Sequence, residues 1–327
     1  MSETNASSSS RNLALELCRV TEFAAIAASD WIGAGEKKKA DGAAVDALHV
    51  VLATTPISGT VRSGEGTKDE APKLYHGEEI GAGGPKLDIA IDPLEGTRLT
   101  AEGYPGAIAV IAAAEDGAMY DPGDTLVYCE KVAAKAEYAD LLDLDDPVGT
   151  VERVAKAKGS APTVVVLDRD RHEEMIAGIR GVGGKVRRIL DGDIAPVLLI
   201  ADENNDADLL MGVGGTPETL IGAAVARASG CALRARFWPR TDEERDAGIA
   251  EGHDVTRIFT ETDLIHADSE VFFSATGVTK GEILNGVVTR PDGRVITDSL
   301  VLRSKTGTVR RIEGVHNMEK LSALTGR

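Results

Sequence analysis

Between Thr163 and Ala228 short β-type runs and helical stretches take turns, and this rhythm constrains the fold more than any other feature of the chain. Thr163–Leu167, Val186–Leu190 and Leu209–Val213 read as strands, and His172–Val182, Ile194–Ala201 and Pro217–Ala228 as the helices that follow them. Strands joined through helices cross back in the same direction, so the pattern predicts an α/β layer with largely parallel strands. The first half is built differently. Leu13, Leu17, Val20, Ala24, Ala27 and Trp31 recur at helical spacing on one face, with Gly33 and Gly35 as stop signals. Asp41–Leu52 reads as a second helix with Val45, Leu48 and Leu52 inward and Asp41 placed to cap its start. Strand-type runs at Thr60–Ser63, Leu87–Asp92, Ala107–Ala113 and Thr125–Val132 follow, broken by Gly, Asp and Pro turns. The chain ends on further strands, at Val271–Ala275, Gly286–Thr289, Val295–Arg303 and Thr308–Gly314.

These elements predict an α/β protein, with an α+β N-terminal part and an α/β C-terminal part. The Ser-rich residues 1–10 have nothing to bury and read as a disordered tail. The stretch Asp140–Gly159 changes character, with an acidic cluster followed by Pro147. A domain boundary is expected there, dividing residues 11–155 from 156–327.

Charge limits the possible partners. Lys plus Arg is 36 against 53 for Asp plus Glu, a net charge of −17 over 327 residues, which argues against nucleic acid. Cys18, Cys129 and Cys231 stand in no paired spacing and read as buried, reduced thiols. The opening MSETNASSSS has no apolar centre, and the longest apolar run, Gly106–Ala114, is about half of the ~18 residues a membrane span needs. A soluble cytoplasmic protein with no membrane partner is expected.

The most informative segment is Asp88-Ile-Ala-Ile-Asp92-Pro93-Leu94-Glu95-Gly96-Thr97. Alternation from Leu87 to Asp92 marks a strand, and Pro93, which donates no ladder hydrogen bond, is expected to end it. Asp92 and Glu95 then share a strand tip and the turn after it, as hard-cation ligands do. Gly96 and Thr97 add backbone N–H groups and a hydroxyl beside them. Asp, Pro and Gly alone are common turn residues, so the complete string carries the weight.

That string, D-P-L-E-G-T, resembles the signature of the metal-dependent, lithium-sensitive sugar and inositol phosphatases. Further segments resemble class II fructose-1,6-bisphosphatase: Asn12–Leu17, Arg19–Glu22, Ala40–Asp46, Gly64–Gly66, Asp69–Pro72, Leu74-Tyr75, Asp191–Asp193, Gly214–Glu218, Ala275–Gly277 and Arg303–Lys305. The resemblance runs from about residue 11 to 320. It implies a layered α-β-α-β-α sugar-phosphatase fold and a homo-oligomer, a dimer or tetramer. It also implies hydrolysis of the 1-phosphate of fructose 1,6-bisphosphate, a step of gluconeogenesis, with Mg²⁺ or Mn²⁺.

Its metal positions fall on Asp41, Glu65, Asp92, Glu95 and Glu218. Taken singly, Asp41 reads as a helix cap, and Glu65 and Glu218 as solvated charges. The resemblance assigns chemistry to Asp92, Glu95 and Thr97, the last orienting or helping to deprotonate the attacking water. Substrate positions fall on Lys37, Asp69, Thr97, Tyr128, Arg169, Arg171, Asp191, Gly192, Asp193 and Arg240. Arg169 and Arg171 follow a strand at its carboxyl end, where α/β sheets bind ligands. His172 beside them is expected to bond locally rather than to catalyse. No histidine spacing fits zinc.

Three positions depart from the pattern: Thr67 for a Glu, Gly106 for an Asn, and Asp170 for a Pro between the two arginines. They leave a catalytically weak sugar-phosphate binder open as an alternative, and sedoheptulose 1,7-bisphosphate is an alternative substrate. Gly212-Val-Gly-Gly215 lacks the Lys-Ser/Thr that a nucleotide-binding P-loop requires.

Overall fold

The leading apolar stripe is buried as its spacing predicts: Leu13, Leu17, Val20, Ala24 and Ala27 all lie inward on the first helix. The structure, a computed structural model, describes residues 6–65 and 73–325. The chain divides into two units, Met1–Met119 with Ser269–Arg327, and Tyr120–Asp268. In chain order the first unit starts with α1 (Ala6–Ser29), α2 (Lys37–Ala53), β1 (Ser58–Ser63), β2 (Glu79–Ile80), β3 (Lys86–Glu95), α3 (Thr97–Glu102) and β4 (Ile108–Glu115). The second unit holds β5 (Tyr128–Lys135), α4 (Pro147–Lys158), β6 (Thr163–Leu167), α5 (Glu173–Gly181), β7 (Lys185–Ile189), α6 (Ala195–Ala201), β8 (Ala207–Gly215) and α7 (Thr216–Ser229). It continues with β9 (Cys231–Phe237), α8 (Asp242–Ala250), β10 (Phe259–Thr260) and α9 (Glu261–Leu264). The chain then returns to the first unit as β11 (Val271–Gly277), β12 (Val288–Thr289), β13 (Arg294–Arg303), β14 (Thr308–Asn317) and α10 (Met318–Thr325).

The first unit is one sheet in the order β12-β13-β11-β4-β3-β1-β2, with β14 on the other side of β13. Every residue from Ile108 to Ala114 on β4 is buried, as are Ile89, Ala90 and Ile91 on β3, so these central strands are covered on both faces. Each such large aliphatic side chain contributes about 1.5–3 kcal/mol. Helix α1 is fastened to the sheet by a buried hydroxyl chain. Thr21 Oγ1 lies 3.0 Å from Ser274 Oγ and 2.8 Å from Thr276 Oγ1, which is itself 2.8 Å from Ser299 Oγ.

In the second unit the sheet order is β10-β9-β5-β8-β6-β7. Only β7, β6 and β8 run parallel, as the strand–helix rhythm predicts. The other half is antiparallel, because β5 and β9 pair with each other and β5 with β8. The expectation of largely parallel strands therefore holds for three strands of six; β9 stood outside the alternation and was not expected from it.

The unit boundaries differ from those read in the sequence. Asp140–Gly159 lies inside the second unit, whose core includes Tyr138, Val151 and Val154. The closing strands instead complete the first sheet, β11 pairing with β4 at seven positions from Val271–Ala114 to Gly277–Ile108. A local composition change carries no information about such long-range pairing. Of the tail, residues 1–5 lie outside the described residues, whereas Ala6–Ser10 belong to α1. A buried stripe further along lets a helix propagate into a polar run once nucleated.

Candidate active site

The D-P-L-E segment does not end its strand at Asp92. Strand β3 runs to Glu95 through a bulge, with Asp92 opposite Val110 and Glu95 opposite Ile108, three steps against two. Pro93 has no N–H, and the Leu94 N–H is taken by Asp92 Oδ1 at 3.0 Å, so both residues are excused from the ladder. The bulge brings Glu95, 3% exposed, back beside Asp92 at the carboxyl end of a central strand. Gly96, at φ +88°, then turns the chain into α3, whose first residue is Thr97. Thr97 Oγ1 donates to Leu94 O at 3.2 Å and is only partly buried.

Glu65 reaches the same edge by register. Strands β1 and β3 are parallel with Ser63 beside Ala90, so Glu65 and Asp92 each lie two residues further on, Glu65 just past the end of β1 and Asp92 at the bulge of β3. The Glu65 N–H donates to Leu74 O at 3.0 Å. Leu74, at φ +58°, is a non-glycine residue in the left-handed region, and its N–H is held by the Glu78 carboxylate. Asp41 is not a cap. Helix α2 begins four residues earlier at Lys37, after an N-cap at Glu36, which leaves the Asp41 carboxylate outside any capping role. Helix α2 packs on β3 and α3, and the turn before it is tied to α3 by Gly33 N–H to Thr100 O and Gly35 N–H to Ala101 O, at 2.9 and 2.8 Å. Lys37 is exposed. Asp69 and Thr67 lie outside the described residues.

The donors that Asp41, Glu65, Asp92 and Glu95 offer are all oxygens, which suits a hard divalent cation rather than zinc or copper. Among the described residues, no three His, Cys, Asp or Glu side chains form a preformed metal cage. The first unit supplies instead a bulged strand end, the end of the strand beside it, and a helix packed upon them.

In the second unit the structure gathers the predicted arginines. Tyr128 opens β5, and the Arg171 and Arg240 guanidinium carbons each lie 5.6 Å from its ring centre. Arg171 also donates to Val213 O at 2.6 Å, and partial burial holds its pKa below the usual arginine value. Arg240 is held by Glu244 at 2.8 Å. Arg169 donates to Leu190 O at 2.7 Å and to Asp191 Oδ1 at 3.0 Å. Asp170, between the arginines, is exposed and pairs with neither among the described residues, so it does not compete for them. Gly192 takes φ +77° in the turn between Asp191 and the buried Asp193. Glu218 lies in the first turn of α7, where a Cβ on Gly215 would fall 1.8 Å from its Oε2.

His172 bonds locally. Its Nδ1 faces Leu167 O at 2.8 Å, and its Nε2 faces the Val213 N–H at 2.9 Å. A carbonyl only accepts and an N–H only donates, so the ring is neutral, with its proton on Nδ1. Burial lowers its pKa. Val213 is thus gripped twice, its N–H by His172 and its carbonyl by Arg171. Gly212 makes room, since a Cβ there would sit 2.9 Å from the imidazole. Sequence reasoning singled out Gly212–Gly215 only as a failed nucleotide loop and overlooked Lys131. The available signal was a lysine placed directly before the apolar run Val132–Ala134 of β5.

The three cysteines are buried and unpaired as expected, and burial pushes the Cys18 thiol up to about 12 and that of Cys129 to about 11. They are unreactive at neutral pH. Among the described residues no helix is long and apolar enough to cross a membrane.

Residues 11–316 match the family model described as bacterial fructose-1,6-bisphosphatase, glpX-encoded. The chain is 39% identical over 328 aligned positions to "Fructose-1,6-bisphosphatase 1 class 2" of Escherichia coli K12, covering 95% of this chain and 96% of that protein. It is similar to the same degree, with the same coverage, to the class 2 fructose-1,6-bisphosphatases of Escherichia coli O6:H1 and Shigella flexneri.

Proposed function

The chain belongs to the bacterial class II fructose-1,6-bisphosphatase family, and on that premise we propose that it hydrolyses the 1-phosphate of fructose 1,6-bisphosphate, giving fructose 6-phosphate and inorganic phosphate. The observation that carries the reading is the bulge at Pro93. It is the one feature that sets Asp92 and Glu95 side by side at a strand end and starts Thr97 on the next turn.

In this reading Asp41, Glu65, Asp92, Glu95 and Glu218 hold divalent cations, Mg²⁺ or Mn²⁺. When bound, such ions would supply positive charge to the phosphoryl oxygens and to the leaving alkoxide. Thr97 orients the attacking water through its hydroxyl and helps to take its proton. The water oxygen forms a bond to phosphorus, the bond from phosphorus to the sugar oxygen breaks, and that oxygen takes up a proton. Arg169, Arg171 and Arg240, with Tyr128 and Lys37, hold the phosphate that is not cleaved, since guanidinium groups match phosphate oxygens in pairs. Asp69, Asp191 and Gly192 serve the sugar, and Asp193, expected with them from the resemblance, is buried behind their turn. The enzyme works in the cytoplasm, in gluconeogenesis, as a homo-oligomer.

The test is phosphate release from a panel of sugar bisphosphates with Mg²⁺ or Mn²⁺, including the fructose and sedoheptulose compounds. Turnover of the fructose compound, lost in chelator and regained on adding metal, is expected. Binding without phosphate release would overturn the reading in favour of a sugar-phosphate sensor.

A further inference from the structure

The glycine run that fails as a nucleotide loop clears space for a buried ion pair. A Cβ at Gly214 would stand 1.8 Å from Asp193 Oδ2 and 3.0 Å from Lys131 Nζ. These two groups lie 2.7 Å apart, with side chains 4% and 2% exposed. Lysine is almost never buried to this degree unless it is paired. The pair is not fully satisfied: among the described residues neither Lys131 Nζ nor Asp193 Oδ1 has a hydrogen-bond partner of good geometry. The Asp193 carboxylate faces the buried charge on β5.

The turn is also anchored at its opposite end. Arg169 grips Leu190 O and Asp191 Oδ1, and Gly192 reverses the chain at φ +77° before Asp193. Asp193 is too buried to meet a ligand as the half-buried Asp191 does. We propose that Lys131 is a positioning residue. Through Asp193 it fixes the far end of the Asp191-Gly192-Asp193 turn to strand β5, so that the turn presents its polar groups to the sugar in one geometry. The proposal rests on the bisphosphatase reading and adds to it a residue that touches no substrate.

Removing one member of a buried pair strands the other charge, whereas replacing both by apolar groups is often neutral for stability. The test therefore uses Lys131→Met, Lys131→Arg and the double variant Lys131→Met/Asp193→Leu. The readouts are KM, kcat, thermal stability and amide exchange over residues 190–194. The double variant should keep wild-type stability, exchange faster in the turn, and show KM raised about tenfold, the scale of one lost hydrogen bond, with kcat changed far less. Lys131→Arg, which keeps the charge, should recover part of the KM. A stable double variant with wild-type KM and unchanged exchange in the turn would overturn the proposal, whatever happens to Lys131→Met. If the wild-type protein released no phosphate from the fructose compound, the functional reading would fail. Faster turn exchange in the double variant would still uphold the positioning role, and unchanged exchange would sink it.

Discussion

Replacing His172 by Phe keeps a ring of similar shape in a site where only 3% of the residue is exposed, but removes both of its hydrogen bonds. Leu167 O and the Val213 N–H are then left buried without partners. Each such group costs about 1–3 kcal/mol, so the variant should lose roughly 2–6 kcal/mol near pH 7.5. The loss should also depend on pH. Burial first, and then the nearby arginines, lower the imidazole pKa in the fold. The unfolded chain takes up its proton near the ordinary value of about 6.5, and the folded chain only at lower pH. Between the two the unfolded state binds more protons, so wild-type stability from this residue is complete above that value and falls as pH is lowered. One proton sets the slope at no more than about 1.4 kcal/mol per pH unit. Phe has nothing to titrate, so the gap between wild type and variant should narrow on acidification. Trp238 reports the second unit, and a Trp31→Phe background silences the tryptophan of the first. Urea titrations by fluorescence at pH 7.5 and 5.5 measure the gap. Equal midpoints at pH 7.5, or a gap of the same size at both pH values, would refute the assigned tautomer and the grip on Val213.

Asp92→Asn keeps the side-chain shape but removes an anionic oxygen proposed to hold metal; turnover should vanish and bound Mn²⁺, measured after dialysis, should fall while the melting temperature holds. Thr97→Ala should lower kcat by ~10²–10⁴-fold with metal content retained, the range for general acid–base assistance, and a change below about threefold would leave Thr97 only its bond to Leu94 O. Arg171→Ala should weaken bisphosphate binding roughly 10- to 100-fold, the scale of a charge-assisted hydrogen bond, with kcat nearly kept. Assayed against a sugar monophosphate lacking the distal group, that variant should lose the wild-type preference for the bisphosphate; an unchanged preference would place the distal phosphate elsewhere.

Much of the fold was legible because it follows from local periodicity. The α1 stripe, the inward face of α2 and the strand–helix alternation from β6 to α7 all lie where hydrophobic spacing puts them. The misreadings share one cause. Taken singly, an Asp before an apolar run, as Asp41 is, reads as a cap, whereas α2 starts a turn earlier. A proline reads locally as a strand end, whereas pairing with β4 carries the strand across Pro93 as a bulge. Gly106 at φ +102° shows the opposite case. Asn is among the few other residues that tolerate positive φ, so Gly in its place preserves the backbone.

The sequence by itself determined which chemistry is available: the hard oxygen donors, the threonine beside them, the arginines past a strand, and the family to which these segments belong. Only the tertiary structure decided which residues serve others. That β1 and β3 bring Glu65 and Asp92 to the same edge, that His172 and Arg171 hold the N–H and the carbonyl of Val213, and that Lys131 faces Asp193 beneath Gly214 depend on strand order and register. Those are set by burying surface contributed from distant parts of the chain. No local window of residues contains that information, because the free energy that selects it belongs to the packed whole.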